Sequence, residues 1–270
     1  MTEVQSSRAP LGLKDLAVGC WSFTATADST ANAGCIRRGI RAARGAGMRV
    51  LLTPECALIG YPGAARPDLA DVDWCRLGDL EDTLLTEAAQ AGITLVLGTA
   101  GPVGGGSPQG FANEAVTTAG RYRKRRLMPG DAAHFIAGDV PLVIDVDGWR
   151  CGLGICYDLR FAPVWHDLAR AGADAFLVLG HMAGVDAEPG VKATVVPQFC
   201  AVRAGEWATP LVFCNTAAPD RWLGSGAWDA RGIQTHRADA PGEHLLTAAI
   251  RPRNAFPPWY AGIRAAALSS

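Results

Sequence analysis

The chain lacks the spacings that hold a metal. Its eight cysteines form no Cys-x-x-Cys pair and its five histidines are scattered, so a zinc site is not expected. It also lacks an excess of charge. Twenty-five Lys and Arg against 26 Asp and Glu leave a formal net charge of −1, which gives no reason to expect nucleic acid or an anionic membrane as the main partner. No apolar run approaches the roughly 18 residues of a membrane helix, and the polar N-terminus carries no signal-peptide core. A cytoplasmic protein is expected, with reduced thiols that mostly behave as small buried hydrophobes. The stretch Gly101–Gly110 has neither a Gly-x-Gly-x-x-Gly fingerprint nor a Gly-Lys-Ser/Thr ending, so it reads as a flexible connection rather than a phosphate loop.

What is present is a globular composition, 49% hydrophobic and 19% charged over 270 residues, enough to bury a substantial core. Apolar runs at Leu16–Phe23, Arg49–Pro54 and Thr94–Thr99 read as strands, separated by amphipathic helices over Asn32–Ala46 and Asp79–Ala91 that stop at Gly47 and Gly92. Further along, a strand from Leu142, a strand ending at Cys156, a helix near Pro163–Ala171 and a strand Ala175–Leu179 repeat the order. A helix near Gln198–Trp207 and strands Leu211–Asn215 and Leu245–Ile250 follow. Strand–helix–strand repetition means α/β architecture. No linker divides it, so one domain is expected over 1–270, with 1–10 a flexible tail and 251–270 a C-terminal extension.

Three residues stand where ligands bind in α/β proteins, at or near the carboxyl ends of strands. Glu55 follows Val50–Pro54 and precedes an apolar segment, so it is either an exposed loop carboxylate or a general base with a raised pKa. Lys124 lies in a basic stretch, Arg121–Arg126, that reads as a solvated face. Strand alternation nonetheless puts Tyr122, Lys124 and Arg126 together on one side. Cys156 ends the run Trp149–Ile155, and alternation groups it with Gly152 and Gly154, leaving room for a substrate or another segment. It is either a buried structural thiol or a nucleophile.

The motifs Pro54-Glu55 with Gly60-Tyr61, Tyr122-Arg123-Lys124, and Gly154-Ile155-Cys156-Tyr157-Asp158-Leu159-Arg160-Phe161 resemble the nitrilase superfamily of carbon–nitrogen hydrolases. The likeness extends to Asn113-Glu114-Ala115, Ala137-Gly138-Asp139, Val202-Arg203-Ala204 with Glu206, and Gly224-Ser225. It implies a four-layer αββα sandwich, a homodimer or higher homo-oligomer, and a Glu-Lys-Cys triad. In that triad Glu55 is the base, Cys156 the nucleophile and Lys124 the cationic stabiliser, with the backbone N–H of Tyr157 as a second oxyanion donor. The implied chemistry passes through a thioester and requires no metal or organic cofactor.

The chain departs from that pattern in places. Asp131 is the nearest counterpart of a second glutamate after the lysine motif, either orienting Lys124 or an ordinary loop residue. Arg126 replaces a frequent histidine, and Phe161-Ala162-Pro163-Val164 replaces the more usual Phe-Pro-Glu. Tyr157-Asp158 looks like the amidase branches. The expected reaction is hydrolysis of a small-molecule amide to a carboxylic acid and ammonia, with N-carbamoyl (ureido) hydrolysis, nitrile hydrolysis and an inactive binding protein as alternatives. Tyr61, Trp165, His181 and Met182 are the candidate pocket residues.

Overall fold

The structure, a computed structural model, describes residues 12–104, 110–184 and 188–269. The expected tail at 1–10 and part of the glycine-rich connection lie outside these residues. The chain builds two six-stranded sheets. The first contains β1 (Leu16–Ser22), β2 (Val50–Leu52), β3 (Thr94–Val103), β4 (Gly110–Thr117), β5 (Gly120–Arg123) and the late strand β12 (His244–Ile250), in the order β12-β1-β2-β3-β4-β5. The second contains β6 (Val143–Val146), β7 (Trp149–Ile155), β8 (Ala175–Leu179), β9 (Leu211–Cys214), β10 (Ser225–Trp228) and β11 (Gln234–Ala238), in the order β11-β10-β9-β8-β7-β6.

The sheets pack face to face, β1 over β9, β2 over β8 and β4 over β7. Helices α1 (Ser29–Gly45) and α2 (Trp74–Gln90) cover the first sheet, and α3 (Ala162–Arg170) and α4 (Pro189–Glu206) cover the second. The result is an αββα sandwich. Val18, Val50, Leu52, Leu153, Leu177 and Phe213, all wholly buried, belong to one core that spans both sheets. Among the described residues no helix is long and apolar enough to cross a membrane.

The helices start where their caps are. Asp28 accepts N–H bonds from Thr30 and Ala31 to open α1, and Asp73 accepts one from Arg76 to open α2. Because Asp73 is the cap, α2 begins at Trp74 rather than at the expected Asp79. Helix α4 also starts early, at Pro189. Pro197, which as a helix breaker favours a start at Gln198, sits inside it and forfeits one backbone bond. Helix α5 (Pro258–Ser269) and strands β10 and β11 were not expected. The reason is pattern: α5 buries only Arg264 and so has no apolar stripe, β10 is four buried residues, and β11 is a polar edge.

Candidate active site

Strands β7, β8 and β9 run parallel in the second sheet, β2 packs opposite β8 from the first, and the carboxyl ends of β2, β7 and β8 carry site residues. Glu55 leaves β2 through a turn in which Cys56 takes a left-handed φ of 53°. That turn rests against β3 because Gly98 has no Cβ: one there would lie 1.9 Å from the Pro54 carbonyl oxygen. The Glu55 N–H then donates to the Gly180 carbonyl of the other sheet (3.2 Å), locking the two strand ends together.

Lys124 follows β5 directly. Its N–H donates to the Asn113 carbonyl at 2.8 Å, and its own carbonyl accepts from Gly138 at 2.9 Å. The expected alternation therefore holds for Tyr122 and Lys124, both buried. It fails at Arg126, which is exposed, because the sheet ends at Arg123. Tyr122 uses its buried position to donate to Asp158 (2.7 Å), tying the first sheet to the turn that carries Cys156.

Cys156 does not continue the strand. It opens a 3-10 turn, Cys156–Arg160, at φ 48°. Asp158 braces this turn by accepting the N–H of Ile155 (3.0 Å) and of Arg126 (2.9 Å) besides the Tyr122 hydroxyl. From α4, Arg203 donates to the carbonyls of Leu159 (3.1 Å) and Arg160 (3.4 Å) while paired with Glu206. The turn is held from three directions.

Of the two occupants left open for the space beside Gly152 and Gly154, a substrate or another segment, the structure has another segment. A Cβ on Gly154 would come within 2.7 Å of the Trp165 ring, and one on Gly152 within 3.1 Å of Leu168 and Ala173. The glycines admit α3, not a ligand. Trp165 is likewise not a pocket residue. It is wholly buried beneath β7, edge-on to Phe176, with its indole N–H donated to the Asp158 carbonyl (3.0 Å).

At the centre, the Nζ of Lys124 donates to Oε1 of Glu55 and to Oδ2 of Asp131, each at 2.6 Å. Oε1 also accepts from Asn113 (2.8 Å), and Oε2 accepts the His181 backbone N–H (3.0 Å). Glu55, Lys124 and Cys156 are at most 3% exposed. Burial raises the Glu55 carboxyl above the usual carboxylate range. Lys124 pulls it back, Asp131 pushes it further up, and the Cys156 thiol lowers it. For Lys124 burial works against the charge, but Glu55, Cys156 and Asp131 outweigh it and hold the ammonium protonated. Burial, with Glu55 adding to it, holds the Cys156 thiol above its ordinary value against the pull of Lys124. The thiol therefore needs a base to become a nucleophile.

Cys156 opens into a cavity of about 190 Å³ with walls from Met128, Leu159, Met182, Val196, Phe199 and Trp222. Arg160 and Lys192 stand over the faces of Phe199 and Trp222, 5.1 and 3.9 Å from the ring centroids. Met182 lies in this cavity, its Sδ 3.9 Å from the Cys156 Sγ. Tyr61 and His181 line no part of it. They stack on each other (centroids 4.5 Å apart, planes 5° apart), and Tyr61 donates its hydroxyl to Asp131. Larger surface hollows, of about 260, 420 and 510 Å³, contain none of these groups. Among the described residues no three His, Cys, Asp or Glu side chains converge to hold a metal ion.

Asn113, Tyr122, Asp158 and Arg203 were all part of quoted motifs but carried no role. Tyr122 is the one that strand alternation with Lys124 had already placed. Val196, Phe199 and Trp222 reach the cavity from α4 and a distant loop, and no local pattern marks them.

The carbon–nitrogen hydrolase family model matches residues 17–255. The fold is similar to the NitN amidase from Nesterenkonia sp. AN1, with a TM-score of 0.74 and 25% identity over 87% of this chain and 93% of that one. A hydrolase of Mycobacterium tuberculosis is 28% identical over 166 residues, 56% of each chain. An (R)-stereoselective amidase from Pseudomonas sp. is 34% identical over 134 residues, 48% of this chain and 47% of that one. The chain thus spans about half the length of the curated relatives it matches.

Proposed function

Because this chain belongs to the carbon–nitrogen hydrolase family, we propose that it hydrolyses small-molecule amides through a thioester on Cys156. The observation that carries this reading is Lys124, 2.6 Å from Glu55, with Cys156 beside them as the reactive group facing the cavity. Glu55 takes the thiol proton as Sγ attacks the amide carbon. The developing oxyanion is met by the Lys124 ammonium and the backbone N–H of Tyr157; loss of one such donor costs about 3–4 kcal/mol of barrier. Glu55 returns the proton to the amide nitrogen, the C–N bond breaks, and ammonia leaves. Glu55 then takes a proton from water, whose oxygen attacks the thioester, and the carboxylic acid departs as the thiol is restored.

The cavity supports an acyl group of modest size with an apolar body, since its walls are largely apolar, include the cations Arg160 and Lys192, and among the described residues bear no acidic side chain. Asp131 serves as the orienter of Lys124, and Met182 as a substrate contact. We read the chain as one domain, cytoplasmic, and a homodimer or higher homo-oligomer; sedimentation tests the last. The activity is tested by ammonia release from amides with apolar acyl chains of increasing length, comparing wild type with Cys156→Ala and Lys124→Ala. Turnover by wild type alone is expected, with an acyl mass adduct on Cys156 in Glu55→Gln. A folded wild type that releases no ammonia and whose Cys156 no electrophile labels would overturn the proposal. Carbon dioxide released with the ammonia would redirect it to ureido substrates.

A further inference from the structure

Asn113 is wholly buried on β4 and makes two contacts to the site. Its carbonyl oxygen accepts the Lys124 N–H (2.8 Å), and its Nδ2 donates to Oε1 of Glu55 (2.8 Å). Among the described residues its own Oδ1 has no hydrogen-bond partner. A buried acceptor left unpaired costs stability, and here the orientation that leaves it so is enforced. Turning the amide over would set Oδ1 against Oε1, acceptor against acceptor. The side chain is thus oriented toward Glu55 at the expense of its own pairing.

The donors around Glu55 are unequally shared. Oε1 receives Asn113 at 2.8 Å and Lys124 at 2.6 Å, which occupy its two in-plane lone pairs. Among the described residues Oε2 receives the His181 N–H at 3.0 Å as its backbone donor, and one lone pair is left for the thiol proton. We propose that Asn113 is a positioning residue that saturates Oε1 and so dedicates Oε2 of Glu55 to proton exchange with Cys156. This rests on the reading of Glu55 as the base. It also gives Asn113 the role that the Asn113-Glu114-Ala115 motif lacked.

The charged and titratable groups facing Glu55 are Lys124 just after β5, Asp131 from the turn that follows, Cys56 from its own turn, Tyr61 from the following loop, and Cys156 from the 3-10 turn after β7. Lys124 shares Oε1 with Asn113, and Asn113 is the neutral donor of the two. Removing its N–H therefore destabilises the ionised carboxylate without adding or removing charge.

The test reads alkylation of Cys156 by iodoacetamide, followed at that peptide by mass spectrometry between about pH 4 and pH 9, beside thermal melting. Wild type should show an acid limb that Glu55→Gln abolishes. Asn113→Leu removes both the donor and the orphaned acceptor, so it should melt close to wild type. Its limb should move up by roughly one pH unit, the expected effect of one hydrogen bond to a charged group. A folded Asn113→Leu with an unmoved limb overturns the proposal. If that variant does not fold, Asn113→Ala is read instead: it also removes the donor without adding charge, the limb should again move up, and an unmoved limb is fatal. Ammonia release is assayed separately, so failure of the amidase reading leaves the alkylation result to decide on Asn113.

Discussion

Lys124 and Asp131 form a 2.6 Å ion pair in which the two side chains are 0% and 3% exposed. Asp131 is held in turn by the Tyr61 hydroxyl and the Met128 N–H, so it is a fixed acceptor rather than a loop carboxylate. It also pushes Glu55 upward, which makes Glu55 a stronger base. Asp131→Asn should therefore weaken the base and lower the acid limb of kcat/KM. Turnover should fall by roughly 100-fold, the lower range for general acid–base assistance, with KM little changed. Tyr61→Phe, which keeps the ring stacked on His181, should show a smaller loss of the same kind. Equal loss in kcat and 1/KM would mean that these residues touch substrate instead.

A second prediction concerns the strand beneath the nucleophile. Gly154→Ala places a methyl about 2.7 Å from the Trp165 ring, and overpacking of this kind costs about 1–3 kcal/mol. Trp165→Ala should cost about 3–5 kcal/mol as a core truncation, without altering the order of preference among acyl chains. Combining Gly154→Ala with Trp165→Phe should recover part of the loss, since the two share one contact. Urea unfolding of wild type, Gly154→Ala, Trp165→Phe and their combination measures this. Strict additivity would remove the contact as the cause.

These two sites also show what the sequence could disclose. Glu55, Lys124 and Cys156 each end or follow an apolar or alternating run, and the turns that present them are local, so their positions were legible. Asp131 remained open because only the long-range approach of Lys124 tells an orienter from a loop residue. What fills the space beside Gly152 and Gly154 remained open because alternation says which residues share a side, not which layer lies opposite. Tyr61 and His181 are adjacent only through the pairing of two sheets, which no spacing within either segment reveals. The strands β10 and β11 and helix α5 lack periodic apolar patterning and depend on tertiary contacts.

Arg203 supplies a third prediction. Arg203→Ala would strip donors from the carbonyls of Leu159 and Arg160. An unsatisfied buried acceptor costs about 1–3 kcal/mol, and kcat should fall more than KM rises, because the loss loosens the turn bearing Cys156. Arg203→Lys keeps the charge but not the planar fork, so it should rescue little. Full rescue by lysine would show that charge against Glu206, not the two carbonyl bonds, is what matters.

His181 makes stability depend on pH. Burial lowers its pKa from 6.5 to about 4, with Lys124 acting in the same direction and Asp220 and Asp131 opposing. A histidine held neutral in the fold is protonated first in the unfolded chain, so between pH 6.5 and about 4 the unfolded state binds more protons. Stability from this residue is complete above the unfolded pKa and is lost as pH falls toward the folded one. Burial lifts Asp158 to about 6 against the bonds of Ile155 and Tyr122, and it acts with the opposite sign. A carboxyl with a raised folded pKa favours the fold at low pH and loses that contribution as pH rises from about 4 to 6. The two slopes oppose each other over nearly the same window, so the wild-type curve hides both. His181→Phe keeps a ring to stack on Tyr61 but cannot titrate. Relative to it, wild type should lose up to about 3 kcal/mol between pH 7 and pH 4, an upper bound because the ring is half-buried. Urea unfolding of both proteins across that range reads the difference directly. A constant difference would show that His181 titrates alike in the folded and unfolded chains.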